Sequence, residues 1–215
     1  ALIKIHGLKV PKAEYVPLND SLPIVKWAVD AVQREGGCLI VGSISKAVRI
    51  SYTAQKHGYD LTGVIFFSGG EPLTKAKNNT IEKSGAKMVS HYVFSEAGSV
   101  GLKCQNSPHH DDVHHMANTT AFIQRPVDIF DQTVNAFCFT TLLPSAPKTL
   151  LNAQMDDFGI IETRDCGCLL HQFGLTTHIR QVRSYRKLTG EGMTLVGSDM
   201  VRILEEDLPA QFGGS

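Results

Sequence analysis

The stretch CLIVGSISKAVRISYTAQKHGYDLTGVIFFSGGEPLT, residues 38–74, has the pattern from which the fold class can be predicted. Residues 38–41 and 63–67 are two continuous apolar runs, which is typical of strands buried on both faces. Residues 45–57 between them have a helical pattern that Gly58 ends. A strand, a helix and a strand in this order predict a parallel β-α-β unit with a right-handed crossover.

The same alternation continues on both sides of this stretch. Ser21 and Pro23 can begin a helix whose apolar residues recur at helical spacing, and Gly36 and Gly37 end it. Residues 74–84 predict a further helix and residues 88–94 a further strand. The sequence therefore predicts an α/β fold with a largely parallel sheet flanked by helices. Ligands of such sheets bind at the carboxyl ends of the strands, here the loops after Phe67 and Phe94.

The second half of the chain has a different pattern, with predicted strands and few predicted helices. From about residue 121 the sequence predicts short strands at residues 121–123, 136–141, 149–151, 159–161 and 177–179. A glycine-rich joint around Gly190 and Gly192 precedes an expected helix at residues 198–206. We therefore expect a β-rich subdomain, then a hinge into a small C-terminal domain.

Composition excludes several classes of function. The chain has 215 residues, 42% of them apolar, which is enough for a sizeable core. Lys plus Arg equal Asp plus Glu at 21 each, so no overall charge favours nucleic acid or an anionic membrane. The sequence has neither a run of about 20 apolar residues nor a signal peptide at its start. We expect a soluble cytoplasmic protein that binds neither nucleic acid nor membrane, and we interpret both ends of the chain as truncations.

Two strand-end loops carry polar groups. The loop SGGEPLT, residues 68–74, contains the pair Gly69 and Gly70, which permits close backbone approach to a ligand, although such a pair is also common in ordinary turns. The loop YVFSEAG, residues 92–98, adds the Ser95 hydroxyl and the Glu96 carboxylate. A carboxylate at a strand end can hold Mg²⁺ beside phosphates.

Taken together, four segments resemble motifs of the adenylate-forming enzymes, specifically of the phenylacetate-CoA ligase group. They are SGGEPLT, YVFSEAG, residues 144–161 (PSAPKTLLNAQMDDFGII) and residues 179–209, which resemble the family's hinge. The resemblance covers about residues 37–208. It implies an adenine side formed by Gly69, Gly70, Glu71 and Pro72, with the Tyr92 ring against the base. It also implies that Ser95 and Glu96 attend the phosphates and Mg²⁺, and that Asp157 and Arg183 hold the ribose.

The resemblance also implies a reaction and a domain plan. ATP would activate a small carboxylic acid as an acyl-adenylate, and coenzyme A or another thiol would take the acyl group. Residues 1–120 would form the α/β nucleotide-binding subdomain, 121–182 the β-rich subdomain, and 183–215 the hinge and the start of the C-terminal domain. Ile44, Val93 and Phe94 suggest an aromatic or apolar acid. A homodimer is left open.

The sequence departs from the family at several points. Val93 stands where the family usually has Gly, and residues 184–187 replace an acidic hinge pair. The family's phosphate loop and its catalytic lysine lie outside these residues. A non-catalytic nucleotide-binding module or inactive truncated homologue stabilised by zinc is therefore the alternative. A zinc-stabilised interaction domain that binds no ATP is the third hypothesis.

Four residues have side chains suited to a structural zinc ion. Cys104, His114, Cys166 and Cys168 would supply three thiolates and one imidazole, and some relatives of phenylacetate-CoA ligase carry a structural metal in a similar arrangement. The spacing leaves the identity of the imidazole open, with rivals at His109, His110 and His115. We expect the other two of the five cysteines, Cys38 and Cys138, to pack as small apolar residues.

Overall fold

The computed structural model describes residues 13–17, 19–129, 132–185, 187–190, 193–196, 200, 203–208 and 211. Its first part alternates helices and strands as predicted: α1 (Leu22–Glu35), β1 (Cys38–Ser43), α2 (Ile44–Lys56), β2 (Val64–Gly69), α3 (Lys75–Lys83) and β3 (Lys87–Phe94). Within these described ranges, no helix is both long and apolar enough to cross a membrane.

The second part is built mainly of strands. These are β4 (Gly98–Lys103), β5 (Val113–His115), β6 (Thr120–Ile129), β7 (Gln132–Thr141), β8 (Ala153–Thr163) and β9 (Thr177–Ser184), with the short helix α4 (Leu169–Gln172) before β9. Strands β10 (Lys187–Gly190) and β11 (Met193–Val196) form a separate hairpin, and a π-helical turn covers Ile203–Asp207. The helix predicted at residues 198–206 lies partly outside the described residues.

One nine-stranded sheet runs through the molecule in the order β1-β2-β3-β4-β5-β9-β8-β7-β6. The α/β fold class is confirmed, but the expectation of a largely parallel sheet is wrong in detail. Only β1, β2 and β3 are mutually parallel, and every other neighbouring pair in this sheet is antiparallel. The reason is the link after β3, because three residues can close a hairpin but cannot make a crossover.

Local sequence explains where the helices begin and end. Pro23 lies in the first turn of α1, where its missing N–H is no loss, and Gly36 ends the helix in a left-handed conformation with φ 79°. Its N–H donates to the Val32 carbonyl at 2.9 Å. Helix α3 begins after Thr74, whose side-chain oxygen accepts from the Lys77 N–H at 3.4 Å.

The helices cover one face of the parallel strands. On that face Val64 and Phe66 of β2 are buried against α1 and α2. On the opposite face Leu39 and Val41 of β1 are 60% and 69% exposed. The prediction that residues 38–41 are buried on both faces is therefore wrong, because no described helix packs on that second side.

Residues 149–151 do not form the strand that their sequence predicted. Leu150 instead makes a local pair with the end of β7: its N–H donates to the Thr141 side-chain oxygen at 2.9 Å, and its carbonyl accepts from the Thr141 N–H at 3.1 Å. The other segments predicted as strands in this half lie within β6, β7, β8 and β9.

The sheet curves strongly around a second core of aromatic and aliphatic side chains, which includes Phe137, Phe139 and Ile179. In the order of the sheet, three strands separate β3 from β8, so in a flat sheet they would be about 19 Å apart. Side chains from β3 and β8 nevertheless meet (below). The first core lies under the helices. The division of the chain at residues 120 and 182 stays a prediction.

Candidate functional site

A cavity of about 340 Å³ opens at the carboxyl ends of β2 and β3. Its walls are the loop after β2, the second half of β3, the end of β9, the first residue of α2, and single residues from β8, from β5 and from the segment before β5. This is the location predicted from the alternation of strands and helices.

Six of the nine residues expected to attend the nucleotide line this cavity: Gly70, Glu71, Pro72, Tyr92, Asp157 and Arg183. Gly69, Ser95 and Glu96 are not among its lining residues. Ile44, Val93 and Phe94, which suggested an apolar acid, line it as well. Segments far apart in the sequence are thus brought to one place.

The loop after β2 is anchored to helix α2 by Glu71. Its side-chain oxygen Oε2 accepts hydrogen bonds from the Ser45 N–H, at 3.1 Å, and from the Ser45 hydroxyl. Ser43 at the N-cap of α2 makes no side-chain capping bond, so Glu71 supplies the missing acceptor at this helix N-terminus. Glu71 therefore positions the loop in addition to any contact with a ligand.

The two glycines of the loop have different roles. A Cβ on Gly69 would lie 2.0 Å from the His91 carbonyl oxygen, so this glycine permits close pairing of β2 with β3. Gly70 has φ +77° and nothing within 4 Å of an added Cβ. Its role is therefore to adopt the positive φ that the turn requires, and it faces open space. Of the two, Gly70 borders the cavity.

Tyr92 and Asp157 meet across the cavity. The Tyr92 hydroxyl donates a hydrogen bond of 2.7 Å to Oδ2 of Asp157. Burial raises the pKa of Asp157 above its ordinary value, although the bond from Tyr92 opposes the shift. Burial and the nearby carboxylate also hold the pKa of Tyr92 well above its usual range, so its hydroxyl keeps its proton.

Ser95 and Glu96 follow Phe94 in the turn between β3 and β4. Ser95 is exposed, and Glu96 Oε1 lies 3.7 Å from Lys148 Nζ. The Glu96 side chain is 37% exposed and that of Lys148 65% exposed, so solvent weakens this pair. One carboxylate and one hydroxyl fit Mg²⁺ only as part of its coordination, with phosphate and water oxygens completing it.

The four residues proposed for zinc lie together. One ligand atom from each of Cys104, His114, Cys166 and Cys168 is within 4.8 Å of every other. His114 Nε2 lies 3.1 Å from Cys168 Sγ and 3.5 Å from Cys166 Sγ. Tetrahedral zinc with bonds of about 2.0 to 2.3 Å needs ligand atoms about 3.3 to 3.8 Å apart. The distance from His114 to Cys166 lies in this range and that from His114 to Cys168 is slightly shorter, so the donor set fits the ion after a small movement of the Cys168 side chain.

The protonation of His114 suits a metal ligand. Its Nδ1 lies 2.7 Å from the Leu175 carbonyl oxygen, which can only accept, so Nδ1 carries the proton. Burial lowers the pKa of His114, which favours the neutral ring. The lone pair of Nε2 is then directed at the thiols.

Backbone amides favour a thiolate at Cys168. Burial by itself raises the pKa of this thiol, but hydrogen bonds from the amides of His171 and Leu170 in α4 help to lower it below its ordinary value. For Cys104 burial dominates and raises the pKa to about 12. A dication among the three sulfurs would favour the thiolate of each.

A partly buried ionic network lies behind the cluster. Arg164 pairs with Asp112 and, at 2.7 Å, with Glu162. Asp112 is fully buried, and its Oδ1 lies 3.0 Å from Nδ1 of His178, whose ring centroid is 4.1 Å from that of His114. Burial raises the pKa of Asp112, but hydrogen bonds, including those from Arg164 and His178, outweigh it and lower the pKa.

The rival imidazoles are placed elsewhere. His115 Nε2 lies 3.1 Å from the Thr120 side-chain oxygen, on the side of β5 opposite to His114. The backbone carbonyls of His109 and His110 accept hydrogen bonds from the Lys103 side chain. Cys38 and Cys138 are buried with the core residues, as expected.

Sequence reasoning missed several residues of the cavity. Asp111, Ser90 and Ser184 line it. Asp111 and Ser90 lie outside the four resembling segments, and Ser184 lies in the fourth, where the resemblance implied no contact for it. Alternation along β3 could have found Ser90, because it lies on the same face as Tyr92. Asp111 lies in an irregular segment, where no periodicity predicts direction.

No protein-family model and no curated protein matches this sequence. Solved structures do resemble it. An open conformation of 2-hydroxyisobutyryl-CoA ligase, in complex with 2-HIB-AMP and CoA, matches 95% of this chain with a TM-score of 0.62 and 15% sequence identity. The anthranilate CoA ligase AuaEII, in complex with anthranoyl-AMP, matches 84% of this chain with a TM-score of 0.52 and 10% identity.

These matches cover 44% and 36% of the two solved chains, so this chain spans less than half the length of either. At such low identity the likeness concerns the fold. It extends over most of the chain and therefore includes the strands around the cavity. The chain has the fold of the adenylate-forming ligases.

Proposed function

We propose that the cavity binds ATP together with a carboxylic acid and forms an acyl-adenylate. The observation that carries the proposal is the convergence of six expected nucleotide residues on one cavity. They come from all four resembling segments, and the Tyr92–Asp157 hydrogen bond joins two of those segments. The likeness to phenylacetate-CoA ligases in particular belongs to the proposal.

In the proposed reaction the acid carboxylate attacks the α-phosphorus of ATP, and the bond to the leaving pyrophosphate breaks. Negative charge builds on the phosphate oxygens, so catalysis depends on cations and on alignment. Asp157 would accept hydrogen bonds from the ribose hydroxyls while Tyr92 fixes one of its oxygens. Arg183 would contribute positive charge at the ribose side.

Phosphate binding involves the turn after β3. Ser95 and Glu96 would hold Mg²⁺ together with the phosphates, and the ion would neutralise part of the developing charge. Glu96 would leave its solvent-exposed ion pair with Lys148 and bind the cation instead. Transfer of the acyl group to coenzyme A or to another thiol, with release of AMP, would complete the reaction.

The acid would be apolar or aromatic. Ile44, Val93 and Phe94 contribute aliphatic and aromatic surface to the cavity, and burial of such surface favours apolar ligands. Val93 in place of the family's glycine narrows the space at β3, because its side chain lies beside Gly69.

Zinc is proposed for the cluster of Cys104, His114, Cys166 and Cys168. Four protein ligands would leave no open coordination position, so the ion would hold loops together and take no part in the reaction. The ion pair of buried Asp112 with half-buried Arg164 would support the ligands from behind.

The alternative is a nucleotide-binding module without turnover, or an inactive homologue stabilised by zinc. Exchange of labelled pyrophosphate into ATP by the intact protein separates these functions. Exchange that depends on one acid from a panel of aromatic and aliphatic carboxylic acids supports the ligase. Saturable ATP binding without exchange for any acid supports the module, and absence of ATP binding supports a zinc-stabilised interaction domain.

A further inference from the structure

The segment at residues 104–114 contacts both sites of the molecule. Cys104 and His114 at its two ends belong to the metal-binding cluster, and the Cys104 N–H donates to the Asp112 carbonyl at 3.0 Å, which closes the loop. Asp111, next to Asp112, lines the cavity instead. Adjacent aspartates therefore face different sites: Asp112 the network behind the cluster, and Asp111 the cavity.

Asp111 makes one defined contact with the opposite wall. Its Oδ2 accepts a hydrogen bond of 2.8 Å from the backbone N–H of Gln181 in β9. Gln181 has φ 53°, a left-handed conformation that is unfavourable for any residue with a Cβ. Because the conformation is intrinsically disfavoured, a neighbouring group must hold it, and the Asp111 carboxylate is in place to do so.

The conformation of Gln181 sets the direction of the chain at the cavity. Val182, Arg183 and Ser184 follow it directly, and all three line the cavity. The pairing of β8 with β9 shifts register between Phe158 and Ile160, opposite this bend. The contact from Asp111 therefore acts at the point where β9 turns its last residues toward the cavity.

We propose that Asp111 is a positioning residue for the nucleotide site, acting on Arg183 and Ser184 through the backbone of Gln181. It also ties that wall to the metal-binding cluster, because residues 104 and 114 fix the segment that carries it. The proposal rests on the proposed function of the cavity in nucleotide binding. It assigns Asp111 no contact with the nucleotide.

The test compares two substitutions at this residue. Asp111→Asn keeps a side-chain carbonyl oxygen that can accept from Gln181, whereas Asp111→Ala removes the acceptor. Isothermal titration with AMP should give a dissociation constant about 5- to 10-fold higher for Asp111→Ala, the cost of one hydrogen bond, and within about 2-fold of the parent for Asp111→Asn. Adding Gln181→Gly to Asp111→Ala should restore most of the loss, since glycine adopts a positive φ without a tether.

Other results would overturn the proposal. Equal losses in Asp111→Asn and Asp111→Ala would mean that the charge of Asp111 acts on the ligand directly. Unchanged affinity in Asp111→Ala would mean that the contact does not position the site. If Asp111→Ala lost AMP affinity only because the protein folded poorly, adding Gln181→Gly would not restore the affinity, and that result would also overturn the proposal.

Amide hydrogen exchange at Gln181 provides a readout that needs no ligand. The N–H of Gln181 should be protected in the parent and in Asp111→Asn, and should exchange at least about 5-fold faster in Asp111→Ala. Absence of AMP binding by the parent would refute the proposed function, while this exchange experiment would still decide the role of Asp111. Equal exchange in all three proteins would refute that role.

Discussion

The Tyr92 hydroxyl donates a 2.7 Å hydrogen bond to Oδ2 of Asp157, although the two residues are 65 positions apart in the chain. Tyr92 belongs to β3 and Asp157 to β8, with three strands between them in the sheet. The contact exists because the sheet bends back on itself. It places the two residues expected at the base and at the ribose side by side.

Replacing Asp157 should weaken adenylate binding strongly. Asp157→Ala removes a carboxylate that would accept charge-assisted hydrogen bonds from the ribose, so we expect the dissociation constant of AMP to rise about 10- to 100-fold. Tyr92→Phe keeps the ring and removes only the orienting hydroxyl, so its effect should stay below about 10-fold. Titration calorimetry measures both, and an equal effect of the two variants would contradict the assigned roles.

Asp157 should also make stability depend on pH. Its folded-state pKa is raised above the ordinary value of 3.8 by burial, so the native state keeps this proton when the unfolded state has lost it. Stability contributed by Asp157 therefore falls as the pH rises from about 3.8 through the raised pKa.

Urea unfolding between pH 4 and 7, about the range in which carboxyl groups with raised pKa values titrate, can detect this contribution. The unfolding free energy of the parent minus that of Asp157→Asn should decrease with pH and then level off. A difference that is constant or increases with pH would show that the pKa is not raised.

The metal-binding cluster can be tested by ligand replacement. Cys168→Ser should lower bound zinc from one equivalent to well below one. It should also destabilise the fold, since the metal ion would no longer hold the two ends of the loop at residues 104–114 together. Cys38→Ala alters a buried thiol outside the cluster and should leave the metal content unchanged. Metal analysis after exhaustive dialysis makes the comparison, and less than stoichiometric zinc in the parent itself would refute the site.

Glu71 should contribute to stability as a cap. Glu71→Ala leaves the Ser45 N–H at the start of α2 without its side-chain acceptor, which should cost about 1 kcal/mol. Glu71→Gln keeps an acceptor and should lose less than half as much. Equal stabilities of the parent and Glu71→Ala in chemical unfolding would show that the contact is not stabilising.

The two loop glycines should respond differently to alanine. Gly69→Ala forces a Cβ against the His91 carbonyl and should cost about 2 kcal/mol or more. Gly70→Ala meets no atom and should cost about 1 kcal/mol through its positive φ alone. Gly36→Ala, with φ +79° and the same open surroundings, is the matched control for Gly70→Ala. A loss of unfolding free energy in Gly69→Ala no larger than in Gly70→Ala and Gly36→Ala, measured by chemical unfolding, would contradict the close pairing of β2 and β3.

The first half of the fold could be predicted because its signals are local. Apolar runs at β1 and β2 and the helical spacing between them depend on neighbouring residues alone. The exposure of Leu39 and Val41 could not be predicted in this way, because an apolar run does not reveal which of its faces the rest of the protein covers.

Strand order and the cavity depend on distant pairings. The turn of three residues after Phe94 indicates a hairpin, but nothing local shows that β5 pairs with β9 and β9 with β8. Motif resemblance named Tyr92 and Asp157 as candidates without that knowledge, and both line the cavity. Asp111 was missed because its role comes from a bond to the Gln181 backbone, 70 residues away.

If the cavity between β3, β8 and the end of β9 binds a nucleotide, AMP should bind to this chain and Asp157 should contribute to the affinity. Titration calorimetry of AMP into the parent and into Asp157→Ala, the matched variant, measures both. We expect saturable binding at one site in the parent and an affinity about 10- to 100-fold lower in the variant. No saturable binding, or equal binding by both proteins, would contradict nucleotide binding in this cavity.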